Sequence, residues 1–327
     1  MSDLGPGGIP DLKRVTLELL NQVPEGKVTT YKDLAEALGD SRAARSVGTI
    51  MANNPKPGKY PCWRVVHSDG RVGKYSGGSG REDKISKILD DGIPVEGGKI
   101  KNLPRFRFQD YEITPPLKEL REMQERIPRA VSRSKGEISV NRAAGVDVSY
   151  GEEGVVASYV EIRKRDKEVL RKEVLKKDEV KFPYIPGYLA FRELPILAEL
   201  LKKLKSNKQL ADVIFVDGNG LLHPRKAGLA SHLGVVIEHT TIGVAKKLLC
   251  GSVNVSGMEA GERRSVRVDG ERLGLAVRTY ERANPIYVSV GNEIPLETAG
   301  NLALEFSQYK LPKPLRRAHK LAKREAT

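Results

Sequence analysis

The sequence predicts two domains, of which the first is mainly helical and the second is α/β. The chain has 327 residues, about the length of two common domains. Apolar residues make up 39% of it and charged residues 30%, which is typical of a chain that buries a core and excludes disorder throughout. Prolines at 104, 115 and 116 interrupt regular structure between the two parts. We therefore predict a first domain over 1–103, a linker over 104–114 and a second domain over 115–327.

The first part has the apolar spacing of short helices. A helix is predicted over 12–23, and Thr30 can cap a second helix that ends at Gly39. Ser41 can cap a third helix, over 42–53. Two short helices joined by a turn form a helix-turn-helix pattern, which occurs both in DNA-binding proteins and in helices that only pack.

The second part mixes strands with helices, which indicates a central sheet with flanking helices. Charged and apolar residues at helical spacing predict helices over 117–133 and 194–204. Strands are predicted over 144–150, 155–163, 168–175, 213–216, 237–244, 273–277 and 286–290. The strand over 213–216 is wholly apolar, as in a sheet that is covered on both faces. The basic tail, residues 309–327, is expected to be a frayed helix or a solvated arm.

The charge balance favours a polyanionic partner. The net charge is +14, which points to nucleic acid first and to an anionic membrane surface second. Most of the excess follows residue 102, since the part before it has a net charge of only +3. The two cysteines, Cys62 and Cys250, are too few for a disulfide scaffold or a cysteine-rich zinc site. The sequence shows neither a signal peptide nor a long apolar run, so we expect a cytoplasmic protein.

Three acids stand where a sheet protein would not place them for stability. Asp147 interrupts an apolar strand, Asp217 ends another, and Glu193 begins the next predicted helix. Burying such a carboxylate without a partner costs several kcal/mol, on the order of 3–5. Carboxylates at these positions can converge on a divalent cation, and hard oxygen ligands suit Mg²⁺ or Mn²⁺. The alternative is that they cap turns or pair with nearby arginines.

A set of short motifs in the first part resembles the O6-alkylguanine-DNA alkyltransferases, over roughly residues 10–102. These motifs are Val28–Tyr31, Ala44–Gly48, Asn53–Pro55, Pro61–Val66 and Tyr75–Gly78. The resemblance implies a winged helix-turn-helix that enters the minor groove and flips the damaged guanine. Cys62 matches the cysteine that accepts the alkyl group in a single turnover. Five further residues match positions that bind the lesion or shape its site: Tyr31, Arg45, Asn54, Tyr75 and Ser76.

One departure from that family concerns how the cysteine is activated. The family places a histidine after the cysteine and relays it to a glutamate, and these positions are Trp63 and Asp91 here. An indole cannot accept a proton, and a free thiol with a pKa of about 8.5 is a weak nucleophile. Activation would have to come from a helix N-terminus, from Arg64 or from another base. A domain that only binds lesions and an inert buried cysteine stay open as alternatives.

The second part resembles endonuclease V, over roughly residues 115–305. The motifs that carry the likeness are Ala144–Tyr150, Pro183–Gly187, Phe191–Glu193, Val216–Gly220, His223–Arg225, Ala230–Gly234 and Ile242–Lys246. The resemblance implies a ribonuclease H-like fold. It also implies nicking of DNA at the second phosphodiester 3′ to deoxyinosine, and some members cut inosine RNA.

The same resemblance assigns roles to residues of this half. Asp147, Glu193 and Asp217 match the metal ligands, and Lys246 matches a basic residue near the scissile phosphate. Tyr184, between two prolines, matches the wedge that fills the gap left by the flipped base. Arg192 and His223 match residues around the site, and Ser231 and His232 are expected to hold its loop. The family's late Gly-His pair is Gly291-Asn292 here, from which we expect an altered metal preference or a lower rate.

Together these observations predict a bifunctional, monomeric DNA repair protein that uses Mg²⁺, or Mn²⁺, and binds DNA carrying deoxyinosine or O6-alkylguanine. Two alternatives remain. The chain could recognise damage and recruit other factors, or its nuclease could act mainly on inosine RNA while the first domain serves as a sensor or tether.

Overall fold

The computed structural model describes residues 4–134 and 139–327. The chain forms two compact units. One, the sheet unit, contains the described residues of Met1–Gly8, Glu122–Val180 and Leu189–Thr327, and the other, the helical unit, contains Ile9–Arg121 and Lys181–Tyr188. Residues 181–188 therefore belong to the same unit as Ile9–Arg121, although they lie much further along the chain. Across the described part of the chain, no helix has the length and apolar character needed to cross a membrane.

The helical unit is built from short helices and two-residue strands. Its helices are α1 (Leu12–Leu19), α2 (Tyr31–Ala37), α3 (Ala44–Ala52), α4 (Arg81–Asp90) and α5 (Leu103–Phe106), and α6 (Pro116–Ala130) follows them. Its strands are β1 (Thr29–Thr30), β2 (Val65–Val66), β3 (Val95–Glu96) and β4 (Lys99–Ile100). Strand β1 pairs with β2 in parallel, and β3 pairs with β4 antiparallel.

Local capping explains where these helices start and stop. Thr30 accepts a hydrogen bond from Asp33 N, and the Asp33 carboxylate accepts one from Thr30 N, which confirms the predicted cap of α2. Gly39 has a φ of 102°, as expected of the residue that ends this helix. Ser41 as the cap of the third helix is wrong. The N-cap position of α3 is Ala43, which makes no side-chain cap bond. Asp40 accepts a hydrogen bond from Arg42 N and caps the short 3₁₀ turn ahead of α3.

Residues of the predicted linker pair with the helical unit. Val28 N donates to Phe106 O at 2.8 Å, and Phe108 N donates to Val28 O at 2.8 Å. Arg107 forms an ion pair with Asp33, whose side chain is only 1% exposed. This stretch is thus held by backbone and side-chain bonds.

The sheet unit contains one mixed sheet of eight strands. These are β5 (Arg142–Gly151), β6 (Gly154–Arg163), β7 (Val169–Lys177), β8 (Val213–Asp217), β9 (Thr241–Ala245), β10 (Arg263–Val268), β11 (Glu271–Val277) and β12 (Ile286–Asn292). Their order across the sheet is β10-β11-β12-β9-β8-β5-β6-β7. Strands β5, β8 and β9 are parallel, and the other pairs are antiparallel. The helices are α7 (Leu189–Ser206), α8 (Leu229–Ile237), α9 (Leu296–Glu305) and α10 (Lys313–Glu325).

Helices α8 and α9 and strand β10 were not predicted, and three of the predicted elements of this unit differ most from the sequence expectations. Helix α7 begins at Leu189, five residues before the predicted start, so Glu193 lies one turn inside it. The predicted strand over 237–244 begins only at Thr241, because α8 extends to Ile237. The tail is neither a frayed helix nor a solvated arm, since the packed helix α10 covers most of it.

Helix α10 packs on the sheet for two reasons. It has an apolar face, and strand β5 allows it to approach closely. Leu315, Ala318, Leu321 and Ala322 recur at helical spacing and are buried. The helix packs on β5 and β6. It approaches β5 at Gly145, where an added Cβ would lie 2.3 Å from Leu315 N. Only a residue without a side chain allows this distance.

Candidate functional site

The carboxylates of Asp147 and Asp217 meet because their strands are parallel neighbours. Val146 on β5 is in register with Val216 on β8, and each acid follows directly. One ligand atom from each acid and one from His319 lie within 4.8 Å of one another. Two oxygen donors and one imidazole nitrogen at this spacing fit a divalent cation such as Mg²⁺ or Mn²⁺.

Glu193 adds a third carboxyl group to this region. Burial, followed by the charges of Asp147 and Asp217, raises its pKa to about 8. Burial, followed by the charge of Asp217, also raises the pKa of Asp147, although its bond to His319 opposes the shift. Acids that hinder one another's ionisation in this way are characteristic of a site that binds a cation.

Basic and aromatic side chains surround the acids. Lys246 Nζ lies 2.7 Å from Asp217 Oδ2, so the predicted phosphate-contacting lysine pairs with an acid in this structure. The guanidinium carbon of Arg192 lies 4.1 Å from the centre of the Tyr150 ring. The Tyr150 hydroxyl in turn donates to Glu193 Oε1 at 3.4 Å. Arg192 is therefore linked to Glu193 through the ring and hydroxyl of Tyr150.

His319 is a site residue that the sequence reasoning missed. Its Nδ1 lies 2.7 Å from Asp147 Oδ2. The close approach of α10 at Gly145 explains this pairing, because Asp147 is two residues further along β5 and His319 is one turn beyond Leu315. The signal was present in the apolar spacing of the tail, which we had interpreted as a frayed helix or an arm.

Asn292 is not near the acids in the way that we expected. Its Oδ1 accepts a hydrogen bond from Ser132 N at 3.0 Å, and its Nδ2 donates to Gly234 O at 3.2 Å. The side chain is buried and joins backbone segments of the sheet unit. The expectation that this residue alters the metal preference or lowers the rate stays a prediction, and the imidazole beside Asp147 is that of His319.

The remaining predicted residues of the sheet unit are buried. His223 accepts a hydrogen bond from Arg225 N through Nδ1 at 3.2 Å, and it lies outside the group of Asp147, Asp217 and His319. Ser231 donates to Val290 O at 3.4 Å. His232 Nε2 lies 2.9 Å from Leu4 O, and burial lowers its pKa to about 4.

The helical unit contains a cavity of about 690 Å³ that collects most of the predicted lesion-binding residues. Its lining includes Tyr31, Arg45, Cys62, Tyr75 and Ser76. Asn54 is not in the lining. Its Nδ2 donates to Tyr60 O at 3.0 Å, two residues before Cys62.

Cys62 lies at the buried end of this cavity. Its side chain is 3% exposed, and Sγ lies 3.9 Å from the Ser76 hydroxyl. Ser76 itself donates to Met51 O at 2.9 Å. The serine is thus held in place beside the sulfur, and both side chains line the cavity.

The carboxylate of Asp91 accepts hydrogen bonds from two side chains, those of Trp63 and Arg64. The indole nitrogen of Trp63 donates to Asp91 Oδ2 at 3.2 Å. Arg64 donates to the same carboxylate through Nε at 2.6 Å and Nη2 at 3.0 Å, and its Nη1 donates to Val23 O. Asp91 and Arg64 therefore satisfy each other, and neither is available to activate Cys62.

Lys84 is the second residue that the sequence reasoning missed. It is 1% exposed, lines the cavity with Cys62, and donates from Nζ to Val65 O at 2.6 Å. Burial lowers the pKa of Lys84 to about 8, and the charge of Cys62 acts in the opposite direction. Lys84 therefore places a buried ammonium group in the same cavity as the sulfur.

Comparison with known proteins agrees with both halves. Residues 121–320 match the family model of Endonuclease V, and residues 11–89 match that of the 6-O-methylguanine DNA methyltransferase, DNA binding domain. A bifunctional methyltransferase/endonuclease of Picrophilus torridus is 37% identical over 94% of this chain and 95% of its own length. One of Thermoplasma volcanium is 38% identical, over 96% of this chain and 90% of its own length.

A solved structure matches the sheet unit. Ciona intestinalis Endonuclease V, in complex with a 24mer DNA containing an inosine followed by a ribo-adenosine, aligns with a TM-score of 0.57 at 29% identity. The alignment covers 64% of this chain and 96% of that one.

The mixed eight-stranded sheet with flanking helices is the α/β fold of the Endonuclease V proteins. The chain belongs to the Endonuclease V family, within the bifunctional methyltransferase/endonucleases that also carry the methyltransferase DNA-binding domain.

Proposed function

We propose that this chain is a bifunctional DNA repair protein whose sheet unit is a metal-dependent endonuclease. Its substrate is DNA that contains deoxyinosine, and it nicks the second phosphodiester 3′ to that base. The convergence of Asp147, Asp217 and His319 at the ends of two parallel strands carries this proposal. The inosine-containing DNA bound by the Ciona relative supports the choice of substrate.

Each side chain has a role that follows from its surroundings. Asp147, Glu193 and Asp217 hold the divalent cation, which supplies Lewis-acid chemistry at the phosphate when it is bound. The contact with Asp147 orients the His319 ring, as an outer hydrogen bond does for a ligand histidine. Lys246 is 41% exposed beside Asp217 and can offset negative charge that develops on the cleaved phosphate.

The nuclease proposal is tested by incubating the full chain with Mg²⁺ and an end-labelled duplex that carries one deoxyinosine. We expect a single nick at the second phosphodiester 3′ to the lesion, and none in the same duplex with deoxyadenosine. Asp217→Asn should abolish nicking, while Asp178→Asn, which changes an exposed acid of the same unit, should not. If the wild-type protein leaves the deoxyinosine strand intact, the proposal is wrong.

The same assay separates the RNA alternative. Matched single-stranded oligonucleotides with one inosine in DNA or in RNA are compared at equal concentration. A rate on RNA that exceeds the DNA rate by more than tenfold would make inosine RNA the preferred substrate and would reverse our assignment.

We further propose that the helical unit binds O6-alkylguanine and transfers its alkyl group to Cys62. The helices α2 and α3 would act as a winged helix-turn-helix, with Arg45 entering the stack and the base held against Tyr75 and Ser76. The sulfur forms a bond to the alkyl carbon as the bond from that carbon to guanine O6 breaks, and the proton that the thiol gives up balances the one that guanine gains. The shared cavity of these residues is the observation that supports this function.

Lys84 replaces the missing histidine in this proposal. Its ammonium group lies in the same cavity and can offset negative charge that develops on the sulfur during the transfer, while its bond to Val65 O fixes its position. The indole of Trp63 has a different task, which is to hold Asp91 together with Arg64.

Alkyl transfer is tested by mass spectrometry after incubation with an O6-methylguanine duplex. We expect a gain of one methyl group on the peptide that contains Cys62. Cys250 is an internal control, because burial raises the pKa of its thiol and it should stay unmodified. Tight binding of the duplex with an unmodified Cys62 would instead support the lesion-sensor alternative.

A further inference from the structure

The loop that carries the predicted wedge, Tyr184, is part of the helical unit. Residues Lys181–Tyr188 lie within the Endonuclease V match, yet they pack in the same compact unit as Ile9–Arg121, which contains the whole methyltransferase match. The side chain meant to enter the DNA stack at deoxyinosine is therefore supported by residues of the other family.

The loop has a rigid conformation of its own. Phe182, Ile185 and Tyr188 are buried, with exposed fractions of 2%, 0% and 0%. Tyr188 N donates to Ile185 O at 2.9 Å, and Gly187 between them has a φ of 83°, which a residue with a side chain rarely adopts. Tyr184 is 59% exposed on this base. The loop thus presents one aromatic ring to solvent from a fixed backbone.

Three polar side chains near α3 hold this loop. The hydroxyl of Tyr188 donates to Asp40 Oδ2 at 2.7 Å. Arg42 clamps the same carboxylate with Nη2 at 2.6 Å and Nε at 3.0 Å, and its guanidinium carbon lies 5.6 Å from the centre of the Tyr188 ring. The Ser46 hydroxyl donates to the carbonyl oxygen of Tyr184 itself.

These contacts bear on how the side chain of Tyr184 enters the DNA stack. Filling the gap of a flipped base requires a side chain that keeps its direction while the stack is opened. A loop that is ordered before DNA binds loses less conformational freedom during binding. Arg45, the residue that would fill the stack at O6-alkylguanine, directly precedes Ser46 on α3. One helix therefore supports both of the side chains proposed to enter DNA.

We propose that Asp40, Arg42 and Ser46 are positioning residues for the nuclease reaction, and that they hold the Tyr184 loop in the conformation that opens the stack at deoxyinosine. This inference rests on the proposed nuclease function. It makes the alkyltransferase-related part of the chain a component of inosine recognition.

The test uses two conservative variants of the full chain, Tyr188→Phe and Ser46→Ala. Each removes one hydroxyl donor and keeps the surrounding packing. Nicking is measured under single-turnover conditions on a duplex with deoxyinosine opposite deoxycytidine, and on the same strand without its complement. The single strand has no paired stack to open, so it does not need the wedge.

We expect each variant to lose roughly tenfold in rate on the duplex, as for a lost hydrogen bond to a carboxylate or a carbonyl, and less than about twofold on the single strand. A fluorescent 2-aminopurine beside the deoxyinosine should show less unstacking in the variants. Tyr159→Phe is a matched control, because it removes a buried tyrosine hydroxyl that donates to Glu161 at 3.2 Å in the sheet unit. It should leave the ratio of duplex to single-strand rates unchanged.

Three outcomes are distinct. If the wild-type protein nicks both substrates and the variants keep its ratio of rates, the positioning role is wrong while the nuclease function stands. If Tyr188→Phe alone misfolds, as its melting curve would show, Ser46→Ala decides the question. If the wild-type protein nicks neither substrate, the proposed function fails and this inference fails with it.

Discussion

Gly145→Ala should disable the nuclease without touching any ligand to the cation. An added Cβ at this position would lie 2.3 Å from Leu315 N, 2.4 Å from Leu315 Cα and 2.4 Å from Pro314 C, all of which are backbone atoms. Ordinary contacts of a Cβ begin near 3.4 Å, so α10 and β5 must separate by about 1 Å. A backbone cannot rotate away as a side chain can, and the shift is therefore unavoidable.

The size of the effect follows from the contact between His319 on α10 and Asp147 on β5. The contact between His319 Nδ1 and Asp147 Oδ2 is 2.7 Å, and a retreat of about 1 Å would lengthen it beyond hydrogen-bonding distance. Overpacking of this kind destabilises a fold by roughly 1–3 kcal/mol. A misplacement of about 1 Å at a catalytic site costs on the order of 100-fold in rate. We expect losses of both kinds from this one methyl group.

The assays are urea unfolding and single-turnover nicking of a deoxyinosine duplex. Gly58→Ala is the matched control, because nothing lies within 4 Å of its added Cβ, and it should change neither quantity. If Gly145→Ala acts through His319, the double variant with His319→Ala should nick no more slowly than His319→Ala alone. A Gly145→Ala protein with wild-type stability and rate would refute the close approach of α10 and the role that we give it.

Three further predictions concern other parts of the chain. Lys84→Met should slow methylation of Cys62 by roughly tenfold or more while the affinity for an O6-methylguanine duplex changes less than about twofold, as measured by quenched reactions and fluorescence anisotropy. Stability should be full above pH 6.5 and fall by about 3 kcal/mol towards pH 4, because burial lowers the folded-state pKa of His232 to about 4 while the unfolded chain takes up the proton near 6.5. Urea midpoints across this range would show the slope, and His232→Phe should reduce it. Binding of either duplex should weaken steeply between roughly 50 and 200 mM salt, and a flat response would contradict phosphate contacts as the source of affinity.

Much of the fold was predictable because local rules and burial agree along most of the chain. Thr30 caps α2 and Gly39 ends it, as the sequence indicates. The apolar run at Val213–Asp217 forms a strand at the centre of the sheet. The start of β9 was misplaced because the end of α8 is as apolar as a strand, so periodicity could not separate them.

The parts of the site that could not be predicted depend on long-range packing. His319 is 172 residues from Asp147, and their contact requires both the missing side chain of Gly145 and the apolar face of α10. Lys84 meets Cys62 only through the folding of α4 against the cavity. The apolar spacing of the tail indicates helix α10 but not its contact with Asp147, and nothing local indicates Lys84, whereas Asp147 and Asp217 were found because an acid in an apolar strand is unusual by itself.

The acids of the two units have opposite surroundings. This difference affects which residues of each unit can take part in its reaction. In the sheet unit, burial, followed by the charges of neighbouring carboxylates, raises the pKa values of Asp147 and Glu193, which favours the binding of a cation. In the helical unit, Arg64 holds Asp91 through two hydrogen bonds and Trp63 adds a third. A histidine restored at position 63 would therefore find its carboxylate already neutralised, and Trp63→His alone should not rebuild the family's relay. In our proposal, activation of Cys62 comes from a charge that Asp91 does not control, and Lys84 is a buried cation that meets this condition.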